Sequence, residues 1–255
     1  MVDLTAVLKA LPGFFKRLFG ACKRAARRAY QMYFKPLDMF EEIRVAPDAL
    51  GPGILLVIAF SVQTAIVAAL LAKILLITPE GKVVDLLANF YNNVLAYVAI
   101  RGATLFSTWF IFFIIFWFIM YLLGSRIEGF TVFSATGYVL SSQLFTFSAV
   151  FVAYAWTASI TPTITLRTVE GVYPKYQTLT AYLYRFDIAG EILGVPLERL
   201  VDGIEYFGSV WNALLTILMF KIVGDLDWKK AVAGGTAGAV AAWVLASIFR
   251  AAGML

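Results

Sequence analysis

Five long apolar stretches decide most of what this chain can fold into. They cover residues 52–77, 103–124, 131–158, 206–223 and 230–249. A helix needs about 20 apolar residues to cross a bilayer, and the backbone of a segment in hydrocarbon must form its hydrogen bonds internally. Each stretch is therefore expected to be a helix. We predict an all-α fold, a polytopic membrane bundle of five transmembrane helices.

The composition indicates the same class of protein. Hydrophobic residues make up 61% and charged residues only 15% of the 255 residues, whereas soluble domains carry about 25% charged residues. The chain has no histidine, and Cys22 is its single cysteine. These counts exclude a disulfide within the chain, a Cys/His zinc site and a histidine base. No nucleophile–base pair or nucleotide-binding motif is present, so we predict no enzyme, no metal site and no cofactor.

Residues 1–51 form a basic segment that precedes the five-helix domain, residues 52–255. Within residues 1–35, apolar side chains recur every three or four positions with basic ones between them, which predicts an amphipathic helix on a membrane surface. A docking helix for a protein partner is the alternative. A nucleic-acid-binding arm is disfavoured, because the basic residues alternate with large apolar ones that need burial. The residues expected to contact an anionic inner leaflet are Lys16, Arg17, Lys23, Arg24, Arg27 and Arg28.

Lysine and arginine residues near the ends of the stretches predict the orientation. Nine of them precede residue 52, and Arg126, Lys229 and Lys230 fall on the same side. The N-terminus is therefore expected in the cytoplasm and the C-terminus outside. The outer side would carry an interfacial helix within residues 79–101. It would also carry the segment 159–204, whose first half is typical of a β-hairpin and whose second half is typical of one or two short helices.

Small and polar residues inside the stretches predict how the helices pack. Small residues that recur every three or four positions on one helix face allow close approach of two helices in lipid. They are Gly234, Gly238, Ala242 and Ala246 in the fifth stretch, and Ser134, Gly137 and Ser141 in the third. We therefore expect the third and fifth helices at the centre and the second, rich in Phe and Trp, at the periphery. Gln63, Gln143 and Asn212 could line a polar path, but hydrogen bonds between helices explain them equally well.

Three short motifs stand in a fixed order along the chain. "KPLDMFEEIRVAP" contains Pro36, Phe40, Ile43 and Pro47; "DALGPG" places Asp48, Gly51 and Pro52 before the first stretch; and Gly129 precedes the pair Gly137-Tyr138 in the third stretch. Over roughly residues 36–250 this order resembles the Yip family, five-span membrane proteins whose eukaryotic members interact with Rab GTPases. The resemblance is to prokaryotic-type members. It implies a non-enzymatic protein of membrane organisation or trafficking in a prokaryotic cell membrane, an archaeal one included.

The chain also departs from that family. Ser141, Ser142 and Gln143 stand where prokaryotic relatives often carry a proline, and the outer segment is long. Because the cytoplasmic part is a basic helix, the resemblance does not extend to Rab binding. Three functions stay open. The protein could recruit a membrane-protein partner or a second copy of itself, form a small permease or channel subunit, or serve as an accessory subunit of a cell-envelope complex.

Overall fold

In the residues that it describes, the computed structural model is almost entirely helical, which confirms the predicted all-α fold. It describes residues 4–71, 74–77, 83–160, 164–167, 191–192 and 195–251. The helices are α1 (Leu4–Phe34), α2 (Pro36–Val45), α3 (Leu50–Leu71), α4 (Leu86–Leu122), α5 (Gly129–Ile160), α6 (Leu197–Ile222) and α7 (Trp228–Ala251). Short strands lie between them: β1 (Ile74–Ile77), β2 (Val83–Asp85), β3 (Ile164–Arg167), β4 (Glu191–Ile192) and β5 (Val195–Pro196).

A long helix occupies each of the five predicted stretches, from α3 to α7. Among the described residues, two helical segments are long and apolar enough to cross a membrane, Val94–Leu122 in α4 and Arg199–Ile222 in α6. A shorter apolar helical segment, Leu50–Val62, begins α3. That all five helices cross the bilayer stays a prediction.

The end of the first predicted stretch is a strand, not a helix. Helix α3 ends at Leu71, and Ile74–Ile77 form β1, which pairs antiparallel with β2 and parallel with β3. The prediction failed because apolarity alone does not distinguish a buried strand from a buried helix. The prediction of a separate interfacial helix at 79–101 is also wrong. Val83–Asp85 form β2, and α4 then runs unbroken from Leu86 to Leu122.

The outer segment 159–204 is described only in part. Residues 164–167 are a strand as predicted, and among the described residues this strand pairs with β1. The rest of the predicted hairpin lies outside the described residues. Helix α6 begins at Leu197, so the end of the segment is helical as expected, but Glu191–Ile192 and Val195–Pro196 pair as β4 and β5 where a helix was predicted.

Helix α5 lies at the centre, because α3, α4 and α6 all pack against it. Helix α4 has one buried face, with Trp109, Phe112, Phe116 and Met120, and an opposite face that is exposed. Helix α7 packs mainly against α6 and α4 and leaves Val240 exposed. The expectation of a central fifth helix is therefore wrong. The small residues of α7 allow close packing on one face of the helix, and another face is exposed.

The second half of α1 and helix α2 share the core of the bundle. Ala25 and Met32 of α1, and Met39, Phe40 and Ile43 of α2, are buried in the same hydrophobic cluster as α3, α5 and α6. One face of α1 is thus covered by protein.

Candidate functional site

A fully buried arginine, Arg28, lies where α1, α2, α3 and α5 meet. Its side chain has 0% exposure. The Nε–H donates to Glu42 Oε1 at 3.0 Å, and an Nη2–H donates to the carbonyl of Ala46 at 2.7 Å. Nη1 lies 3.2 Å from Asp48 Oδ2 and 3.4 Å from the hydroxyl of Tyr138. Because an unpaired charge is very costly to bury, these partners are what allows Arg28 to occupy this position.

Asp48 connects three helices through one carboxylate. Its Oδ1 accepts the backbone N–H of Gly51 at 3.1 Å and the hydroxyl of Tyr138 at 3.2 Å. Its Oδ2 pairs with Arg28 and, also at 3.2 Å, with Nε of Arg24. An aspartate that accepts the N–H three residues ahead is a helix N-cap, so the same side chain starts α3 and holds α1.

Two glycines allow α3 and α5 to cross closely beside this carboxylate. A methyl group at Gly51 would overlap the Tyr138 hydroxyl and lie 2.6 Å from Asp48 Oδ1. A methyl group at Gly137 would lie 2.5 Å from Cζ2 of Trp109 and 2.8 Å from Cβ of Pro52. A side chain at either position would force the two helices or the polar cluster apart.

The charges of the cluster support one another. Burial opposes ionisation of Glu42, but the hydrogen bond from Arg27 and the charge of Arg28 outweigh it and lower the pKa of Glu42. Burial likewise opposes the charge of Arg28, and the hydrogen bond with Tyr138 and the charges of Asp48 and Glu42 outweigh it, so the pKa of Arg28 is raised. Arg28 and Glu42 therefore both stay charged at neutral pH, and the ion pairs of the cluster persist there.

The side chains of this buried cluster are already paired with one another. Its members are arginines, carboxylates, a tyrosine and backbone groups. Within the described part of the chain, no three His, Cys, Asp or Glu side chains come together that could hold a metal ion. What the arrangement does chemically is bind a guanidinium group and fix α1 to the bundle.

The structure divides the residues predicted to contact the membrane surface. Lys16, Lys23, Arg24 and Arg27 are exposed on α1, while the side chain of Arg17 lies outside the described part. Arg24 also pairs with Asp48, and Arg27 with Glu42. Arg28 was predicted in this group, and that prediction is wrong because its side chain is completely covered by protein.

The motif residues fall into two groups. Asp48, Gly51, Pro52, Gly137 and Tyr138 meet at the crossing of α3 and α5. The other motif residues lie in or beside α2 and at the start of α5. Pro36 begins α2, Phe40 and Ile43 are buried on it, Pro47 follows it, and Gly129 begins α5 against Phe113 and Trp117.

The predicted helix-packing residues mostly lie at close contacts. A methyl group at Gly234 would overlap the side chain of Leu123, and one at Gly238 would lie 2.9 Å from Cε1 of Phe116. Ala242, Ser134 and Ser141 are buried. The hydroxyl of Ser134 accepts the N–H of Asp48 at 3.1 Å, and that of Ser141 donates to the carbonyl of Gly137 at 2.7 Å. The side chain of Ala246 lies outside the described part.

Of the three polar residues proposed to line a path, the structure describes the side chain of Asn212 only. Asn212 is buried on α6 beside Thr216, and its Nδ2 has no hydrogen-bond partner among the described residues. Gln63 on α3 and Gln143 on α5 lie in described helices, but their side chains are outside the described part.

The sequence interpretation missed Glu42 and the burial of Arg28. One signal was present. Arg28 stands seven residues after Ala21 and three after Ala25, so it shares the face of α1 that small residues mark for close packing. An arginine on such a face needs carboxylates opposite it, and Asp48 and Glu42 were candidates nearby in the sequence.

Comparison with known proteins identifies the family of this chain. The family model of the Yip1 domain matches residues 30–249. No curated protein and no solved structure matches the chain. The matched range includes Glu42, Asp48, Gly51 and Tyr138 and begins just after Arg28. Because the match covers most of the 255 residues, the chain belongs to the Yip1 domain family.

Proposed function

We propose that this Yip1-domain protein is a non-enzymatic integral membrane protein that organises its bilayer and recruits a membrane-protein partner or a second copy of itself. Family membership indicates a membrane protein of trafficking. In the proposal all five helices from α3 to α7 cross the membrane. The N-terminus is cytoplasmic, the segment 159–204 is outside, and α1 lies on an anionic inner leaflet.

The outward face of α1 is the observation that carries this proposal. Phe19, Tyr30 and Phe34 are 77%, 59% and 70% exposed. At 100° per residue they fall within one third of the helix circumference, together with Lys23 and near Arg27. The opposite side holds the buried residues, which are Ala21, Ala25, Arg28 and Met32. A face with both aromatic and basic residues suits the boundary between anionic headgroups and acyl chains. Each cation contributes about 1 kcal/mol near such a surface.

Cations at the same end of the bundle support the orientation. Arg44 of α2 pairs with Asp225 in the turn between α6 and α7, and Lys230 donates to the carbonyl of Leu123 at the end of α4. Helix α2, the turn between α6 and α7 and the end of α4 therefore lie at the same end of the bundle. Excess lysine and arginine at one end of a membrane bundle favours the cytoplasmic side for that end.

The single cysteine provides a direct test of the leaflet contact. Cys22 is exposed on α1 and is the only cysteine of the chain, so a polarity-sensitive dye attached to it reports on α1 alone. The labelled full chain is reconstituted in phosphatidylcholine vesicles with or without phosphatidylserine. We expect a blue shift of the dye emission in the anionic vesicles, partly reversed by salt because exposed charges are screened.

Variants locate the source of that shift. Phe19→Ser with Phe34→Ser should reduce it, whereas Val45→Ser, at an exposed position at the end of α2, should leave it unchanged. Equal emission in both lipid mixtures would refute the leaflet contact and favour a protein partner for this face, which affinity capture in mild detergent would then identify.

A transport function is the second candidate, because Asn212 carries a buried amide nitrogen that no described residue pairs with, on a helix long enough to cross the membrane. Flux of an ion or small solute in proteoliposomes that disappears with Asn212→Leu and with Gln143→Leu would support it. Ser209→Ala, at an exposed position of the same helix, is the matched control. A wild-type protein without flux would exclude this candidate for the solutes tested.

A further inference from the structure

The pocket around Arg28 is built by residues of the family domain, while Arg28 itself precedes the matched range. Each of its three guanidinium nitrogens meets an acceptor from that domain. Nε meets Glu42, Nη2 meets the carbonyl of Ala46, and Nη1 meets Asp48 and Tyr138. Arg28 belongs to α1, whereas its acceptors lie on α2, on α5 and in the segment between α2 and α3, so its guanidinium group is bound in the manner of a ligand.

The walls are held in place without Arg28. Asp48 is fixed by the N–H of Gly51 and by its own N–H on Ser134. Tyr138 is fully buried on α5 and donates to Asp48. The N–H of Ala46 donates to the backbone carbonyl of Glu42 at 2.9 Å, which fixes the chain that carries the Ala46 carbonyl, and Arg27 still pairs with the Glu42 carboxylate. Removing the arginine would therefore leave its acceptors close to their present positions.

The shape of the pocket selects a planar cation. The guanidinium carbon of Arg28 lies 5.4 Å from the centre of the Tyr138 ring, while carboxylates and a carbonyl approach its nitrogens. A guanidinium offers five N–H donors in a fixed plane, whereas an ammonium is a compact point charge that cannot reach acceptors so widely spread.

We propose that Glu42, Asp48, Tyr138 and the Ala46 carbonyl form a guanidinium-binding site of the Yip1 domain, which Arg28 fills in cis. The ligand class of this site is an arginine side chain. Helix α1 is thus held as an intramolecular ligand, independently of whether its outer face contacts lipid.

Chemical rescue tests the site. The full-length Arg28→Ala variant in detergent is titrated with methylguanidinium, and its thermal unfolding midpoint is followed. We expect the midpoint to fall relative to wild type and to recover by more than half, in a saturable way, at concentrations that leave wild type unchanged. Methylammonium, with the charge but not the shape, and urea, with the shape but not the charge, should not restore it.

Two further variants make the result decisive. Arg44→Ala, which opens an exposed pair, should show no response to methylguanidinium, and Arg28→Ala with Asp48→Asn should lose the response. If Arg28→Ala does not yield a folded protein, the neutral and larger Arg28→Gln takes its place in the same titration. Absence of saturable recovery, or equal recovery with methylammonium, would overturn the proposal. Neither result bears on the dye shift that tests the leaflet contact.

Discussion

Two ion-pair sites of this protein have similar distances and very different surroundings. Arg28 lies 3.0 Å from Glu42 and 3.2 Å from Asp48, and Arg44 lies 3.1 Å from Asp225. The Arg28 side chain is 0% exposed, whereas the side chains of Arg44 and Asp225 are 42% and 71% exposed. The comparison teaches that the environment of an ion pair, and not its N–O distance, sets how much the pair contributes to the free energy of unfolding.

The physical reason is the solvent that each charge would regain or lose. A charge left without its partner at the surface is hydrated by water, so an exposed pair contributes about 0–1 kcal/mol. A buried charge has no such replacement, and breaking a buried pair costs about 3–5 kcal/mol. The buried site also joins four helices, whereas the exposed pair links α2 to one turn.

The largest expected effect is that of Arg28→Ala. It leaves Glu42 and Asp48 without their buried cation, so we expect the free energy of unfolding in detergent to fall by about 3–5 kcal/mol. Denaturant titration followed by tryptophan fluorescence measures the change. A loss no greater than that of Arg44→Ala would break the comparison, since burial would then not decide the contribution.

A second prediction concerns the glycine beside the buried site. In Gly51→Ala the new methyl group overlaps the Tyr138 hydroxyl and crowds Asp48, so we expect a loss of about 1–3 kcal/mol. Gly53→Ala is the matched control on the same helix, because a methyl group there would meet no other described part of the chain within 4 Å. It should be neutral or slightly stabilising, given the higher helix propensity of alanine. Equal losses from both variants would mean that the crossing tolerates a side chain at position 51.

A third prediction follows from the lowered pKa of Glu42. Because Arg27 and Arg28 favour its ionised form in the folded protein, the stabilisation is present above the unfolded pKa, near 4.5, and is lost as the pH falls through the lower folded value. Unfolding midpoints of wild type should therefore decrease below about pH 5 more steeply than those of Glu42→Gln. Glu41→Gln, at an exposed carboxylate on the same helix, should retain the wild-type slope. Parallel curves for wild type and Glu42→Gln would contradict the assignment.

The smallest expected effect is that of Arg44→Ala. Both members of this pair are largely solvated, so the free energy of unfolding should change by less than about 1 kcal/mol. The same denaturant titration measures it, and high salt should reduce the difference further. A change of several kcal/mol would show that the turn between α6 and α7 depends on this contact.

Local features of the sequence were sufficient to predict the class of protein and the approximate positions of its long helices. Apolar length is a property of the stretch itself, and so α3 to α7 appear where they were predicted. The family resemblance rested on short motifs around Asp48 and Tyr138, and the Yip1 domain match confirms it. The boundary errors arose where composition is ambiguous, as at Ile74–Ile77, which is apolar enough for a helix but pairs as a strand.

What only the tertiary structure decided is which side of each helix meets protein. The periodicity of α1 predicted an amphipathic helix but placed Arg28 among the residues facing the membrane. In the fold, Arg28 points to a tyrosine 110 residues away and to a carboxylate that caps another helix. Burial of a charge depends on partners that are distant in sequence, and no local pattern contains that information. The sequence by itself therefore determined a helical membrane protein of the Yip1 domain family, and the packing of α1, α3 and α5 decided that Arg28 holds them together.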